Sequence, residues 1–161
     1  MRKVIVNSTP LIILSNAGYL QILKLIYGEI TIPRAVFYEV IAKEDSACSQ
    51  IKQNFDWIHI EDIKNELGKR MYQAKLHAGE VEVMILAQEK KADLVIIDDN
   101  TAKKTAKFLG LAVTGTLGVL LKAKNLKIVD FVKPIIDKIR ENGFFVTDEI
   151  YNFVLEQAEE K

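Results

Sequence analysis

Four carboxylates stand where a fold can gather them: Glu39, Glu80, Asp98 and Asp99. Asp98 and Asp99 follow directly on Leu94-Val95-Ile96-Ile97, a wholly apolar run with the composition of a strand covered on both faces. Adjacent carboxylates at the end of such a strand repel one another, and burial sharpens the conflict. A bound cation resolves it. Oxygen ligands without a Cys/His cluster select magnesium or manganese over zinc. Each acid also has an ordinary structural reading. Aspartate is a common helix cap, with its neighbour left in solvent. Glu80 follows Gly79 and opens a helix, where its charge suits the helix dipole. Glu39 lies beside Val36 and Val40, at the boundary of a core. Glu82, close to Glu80, reads as solvent-facing.

Hydroxyls and amines surround these acids. Asn7, Ser8 and Thr9 follow the first β-branched run; the two hydroxyls can orient a metal ligand or cap a helix. Thr114 and Thr116 flank Gly115 in an oxygen-rich turn, which turn chemistry explains equally well. Lys103, Lys104 and Lys107 share one helix, and Lys103 and Lys107 fall on one face of it. They suit a phosphate backbone, or simply a solvated surface.

Positioning these groups needs strands that end together. Val4-Ile5-Val6 is a short buried strand, followed by Thr9 as a helix cap with Pro10 in the first turn. Helices are expected over 11–17 and 20–26, and a second strand over 30–32, stopped by Pro33. Val36, Phe37, Val40 and Ile41 have helical spacing. The stretch 46–55 carries no clear pattern. A third strand covers 57–60, and Asp62 caps a helix running to residue 76. After a joint at 77–79 comes a helix over 80–90 with Val81, Met84, Ile85 and Ala87 inward. Strands at 94–97 and 111–113 bracket a lysine-rich helix over 101–109, and a further helix follows Thr116. Two helices close the chain, 130–142 and 147–159. Strands alternating with helices imply a mostly parallel sheet with helices on both faces. Right-handed connections then deliver successive strand ends to one edge, where open sheets of this kind bind ligands.

Composition narrows the class. With 161 residues, 49% apolar and 27% charged, the chain fits one globular domain over residues 1–161. Basic and acidic residues balance at 22 each, which argues against a coat for nucleic acid but not against an enzyme with its acids pooled in one pocket. The lone Cys48 excludes an internal disulfide, reads as structural, and suits a reducing cytoplasm. No apolar run reaches the length of about 20 residues that a membrane span needs, and the start does not read as a signal peptide.

Taken together, VNSTPLI (6–12), IPRAVFYEV (32–40), HAGEVEVMILA (77–87), ADLVIIDDNTAKKTAKFLGL (92–111) and VTGTLGVLLKAK (113–124) resemble the PIN-domain superfamily of metal-dependent ribonucleases. The resemblance is nearest to a divergent branch of it. It implies a three-layer α/β fold: a five-stranded, mostly parallel sheet of order 3-2-1-4-5 between helical layers. It also implies magnesium- or manganese-dependent hydrolysis of RNA. Carried over, Glu39, Glu80, Asp98 and Asp99 are the catalytic and metal-holding acids and Thr9 is the matching hydroxyl; Ser8, Thr114 and Thr116 support them by their own oxygen chemistry. Lys103, Lys104 and Lys107 meet the RNA backbone. A homodimer is implied, as is the role of toxin in a toxin–antitoxin pair, with an antitoxin protein as partner. The sequence departs from the pattern at the end of the first strand, where Asn7 replaces an aspartate. Its carbonyl can ligate a metal but adds no charge. A catalytically weak module that binds RNA or a protein is therefore the alternative.

Overall fold

The computed structural model describes residues 2–43, 45–72 and 76–161. Five strands form one sheet: β1 Val4–Val6, β2 Ile30–Pro33, β3 Ile58–Glu61, β4 Leu94–Ile96 and β5 Val113–Thr114. Their order is β3-β2-β1-β4-β5 and every pairing is parallel. This is the order the PIN resemblance implies. In β1, Val4, Ile5 and Val6 are all buried although successive side chains point to opposite faces. Both faces of the sheet are therefore covered, as the unbroken apolar runs require.

The covering helices are α1 Ser8–Ala17, α2 Gln21–Tyr27, α3 Arg34–Ile41, α4 Ser46–Lys52, α5 Gly68–Tyr72, α6 Ala78–Glu89, α7 Asn100–Phe108, α8 Thr116–Asn125, α9 Lys133–Glu141 and α10 Asp148–Gln157. Among the described residues, no single helix is long and apolar enough to cross a membrane. The stretch without clear pattern resolves into α4, capped by the Asp45 carboxylate on the Ala47 and Cys48 amides.

Three local expectations are corrected. Thr9 is not the cap of α1: Asn7 occupies that position, and Ser8, Thr9 and Pro10 are already helical. Proline fits throughout a first turn, because the amides there have no partner within the helix. Of the helix expected from Asp62 to 76, residues 62–67 are not helical, Gly68–Tyr72 form α5, and 73–75 lie outside the described residues. Glu89 takes the amides of Lys64 and Asn65 instead, while Asp62 pairs with Arg34. Finally, Glu82 does not face solvent. It is buried, accepts the Ala35 amide at 3.1 Å and meets Lys69 Nζ at 3.2 Å. From Gly79 to Ala87 every residue of α6 is buried, so this helix has no solvent face there.

The end of the chain is fastened by one carboxylate. Glu160 accepts the amides of Val132 and Lys133, at 2.8 and 3.0 Å, and the Lys124 ammonium at 2.9 Å. It thereby serves amides at the start of α9 that have no helical partner. Burial works against the Glu160 charge, but these three donors outweigh it and hold the carboxyl below its ordinary range.

Candidate active site

The C-terminal ends of β1, β4 and β5 lie together because the strands are in parallel register, Val6 beside Ile96 and Ile96 beside Thr114. The Asn7 amide continues the ladder with a bond of 2.9 Å to the Ile96 carbonyl. Asn7 itself is buried, and its Oδ1 has no hydrogen-bond partner among the described residues.

From that point the site is assembled across the chain. Ser8, in the first turn of α1, donates its Oγ hydrogen to Glu39 Oε2 at 2.9 Å. The other oxygen, Glu39 Oε1, is buried and finds no partner among the described residues. Glu39 reaches this place because Gly79, in the first turn of α6, has no side chain: a Cβ there would overlap Oε1 and stand 2.8 Å from Glu39 Cδ. The next residue, Glu80, is buried and accepts the His77 amide at 3.0 Å, one half of a capping box. Burial, with the charges of Asp99 and Glu39 nearby, raises the Glu80 carboxyl above its ordinary value despite the His77 amide.

Asp99 and Asp98 turn different ways. Asp99 caps α7 through the Ala102 amide at 2.9 Å and is exposed. Asp98 is half-buried and doubly held by Thr116, whose amide donates to Oδ1 at 2.8 Å and whose hydroxyl donates to Oδ2 at 2.7 Å. The expected crowding of these neighbours is thus relieved in part by donors of their own. Gly115 permits the second close approach. A Cβ there would stand 2.7 Å from Asp98 Oδ1 and 2.8 Å from Lys103 Nζ.

The structure therefore gathers Ser8, Glu39 and Glu80 with Asp99, leaves Asn7 at the end of β1 preceding Ser8, and sets Asp98, Thr116 and Lys103 around Gly115. Thr9 is exposed and faces a different hollow, between α1 and α9. Thr114 lies in β5 with its hydroxyl against Gly118, and Lys104 is exposed. Gly79, Gly115 and the His77 amide escape a sequence reading that looks for side-chain chemistry; the glycine before Glu80 and the one between two threonines were the available signals.

Among the described residues, Glu39, Glu80, Asp98 and Asp99 form no ion pair with lysine, arginine or histidine, whereas Glu61, Glu82 and Glu160 do. Nor, among those residues, do three or more His, Cys, Asp or Glu side chains close into a ready metal cage. The acids are neighbours, not a finished coordination shell. Their chemistry nevertheless fits a hard cation. The donors are all oxygen, two buried oxygens are without partners among the described residues, and burial, with the nearby acids, raises the Glu80 carboxyl. A family model described as a PIN domain matches residues 3–160. No curated protein matches the chain.

Proposed function

The chain belongs to the PIN-domain family, a nuclease-type fold, and from that premise we propose that it is a divalent-metal-dependent ribonuclease. One observation supports the reading: Glu39 from α3, Glu80 from α6 and Asp99 from the start of α7 lie near one another, and Glu39 Oε1 is buried without a partner among the described residues. Glu39, Glu80, Asp98 and Asp99 would hold magnesium or manganese, with Asn7 as a neutral oxygen donor. When bound, such an ion supplies positive charge against the developing phosphoryl charge and acidifies water.

The chain's own groups do the positioning. Ser8 fixes one Glu39 oxygen and leaves the other turned inward. The His77 amide sets Glu80, the Ala102 amide sets Asp99, and Thr116 sets Asp98. These bonds reduce the rearrangement needed to bring oxygens onto an ion. Lys103 beside Asp98 gives a phosphate a point charge without the fork of arginine. The free Cys48 fits a reducing cytoplasm, and a toxin role with an antitoxin partner and a homodimer extend the proposal.

The test is manganese-dependent cleavage of single-stranded RNA by the wild type, Glu80→Gln and Asp99→Asn. Cleavage that needs the metal and falls in both variants supports the site. Cleavage that survives both changes removes it. Asn7 favours a second reading, a module that binds RNA or a protein without cutting, because the neutral side chain weakens metal affinity. In that case the wild type binds single-stranded RNA but shows no metal-dependent cleavage.

A further inference from the structure

Beyond Asp98 the site opens into a groove of about 650 Å³. One wall is α7, presenting Asn100, Lys103 and Lys107. The other is built by Phe145, Ile150 and Phe153 from the loop before α10 and from α10 itself. Among the described residues, neither lysine forms an ion pair. Phe145 is 85% exposed and Phe153 57%, far more than rings that serve a core. Phe145 is not on a loose tip. Phe144 packs against the core on one side of it, Val146 is buried on the other, and Thr147 then caps α10. The exposed ring rises from a pinned backbone and lines both this groove and the hollow between α1 and α9.

A single nucleic-acid strand offers one anionic phosphate and one planar base per nucleotide. A cationic wall facing an aromatic wall matches both at once. A duplex keeps its bases stacked internally and leaves the rings unused. An apolar protein helix would cover the rings but leave Lys103 and Lys107 without anions. Asp98 is common to the groove and the candidate site, so a strand lying here runs past the acids.

We propose that this groove binds the unpaired RNA strand next to the scissile phosphate, Lys103 and Lys107 on phosphates and Phe145 and Phe153 stacked on bases. The proposal rests on the ribonuclease reading for its choice of RNA. It is tested without cleavage, by fluorescence anisotropy of a labelled ten-nucleotide RNA with EDTA present. Phe145→Ala and Phe153→Ala should each weaken binding about fivefold to a hundredfold. Phe145→Tyr should restore it. Phe108→Ala removes a ring that is 90% exposed on the same helix as the lysines but outside the groove, and should change nothing. Lys107→Ala should reduce the slope of log affinity against log salt by about 0.7. The same RNA as a duplex should bind more weakly than as a single strand.

The proposal is overturned if both phenylalanine variants bind like the wild type, or if duplex binds as tightly as single strand. It is overturned equally if those variants turn a wild-type dimer into a monomer with RNA affinity intact, which makes the face an interface between copies. The two readings separate cleanly. Binding that depends on Phe145 with no cleavage under manganese keeps the groove and removes the nuclease. Cleavage whose KM ignores Phe145→Ala does the reverse.

Discussion

Gly79→Ala is the most discriminating single change, because local and tertiary effects give opposite signs. Residue 79 lies in the first turn of α6 and carries no unusual backbone angle, so helix propensity alone favours alanine by up to about 1 kcal/mol. The new Cβ, however, overlaps Glu39 Oε1 and must evict the carboxylate. Eviction breaks the 2.9 Å bond from Ser8 to Glu39, a bond to a charged acceptor that contributes about 1.5–3 kcal/mol. The net expectation is a loss of about 1 kcal/mol, or about 2–4 °C in Tm for a chain of this size. A displacement of an ångström or more at a catalytic acid lowers turnover by about a hundredfold. Thermal unfolding followed by circular dichroism, with kcat/KM on single-stranded RNA, reads both effects. The decisive arm repeats Gly79→Ala in a Glu39→Ala background, where no carboxylate stands in the way. There the same substitution should stabilise by about 0.5–1 kcal/mol. An equal stabilisation in both backgrounds, or undiminished cleavage by Gly79→Ala, refutes the contact on which the site is built.

Glu80→Gln should raise the Tm of the metal-free protein at neutral pH, because the folded state holds this carboxyl above its ordinary value. The sign follows from linkage: the native contribution is intact below the unfolded pKa and is lost as pH rises through the raised one, so the variant's advantage should fade in acid. Asn7→Asp places a charge at a buried position whose own Oδ1 has no partner among the described residues; it should lower the metal-free Tm yet increase manganese-dependent cleavage, measured side by side with the wild type. Glu160→Gln should lose about 1–3 kcal/mol at neutral pH in urea unfolding. Because the folded carboxyl sits below its ordinary range, that contribution is present above the unfolded value and vanishes as pH falls through the folded one.

Much of the frame was legible because its strands are short, wholly apolar and punctuated by polar residues. Leu94 to Ile96 needs no partner to be read as a buried strand, and the residues after it mark the sheet's ligand edge. Asp98 and Asp99 could be placed at that edge, but their donors could not: Thr116 is 18 positions from Asp98, and nothing local announces the bond. The same holds for Glu39. The placement of its carboxylate depends on a glycine in another helix and on Ser8, 31 positions away. Glu82 misled for a different reason. A glutamate beside Glu80 reads as solvent-facing, although Val81, Val83, Met84, Ile85, Leu86 and Ala87 leave α6 no such face. The helix expected to start at Asp62 does not form over 62–67. Leu67 is in fact 79% exposed, and Glu89 satisfies the local amides from outside.

Calorimetric titration of manganese into the metal-free protein asks directly whether these oxygens hold a divalent ion. The wild type should bind with a saturable heat, and Glu39→Gln and Glu80→Gln should each weaken the affinity by about tenfold or more while keeping the circular dichroism of the folded protein. No saturable heat from the wild type, or an affinity that both variants leave unchanged, would contradict the metal site.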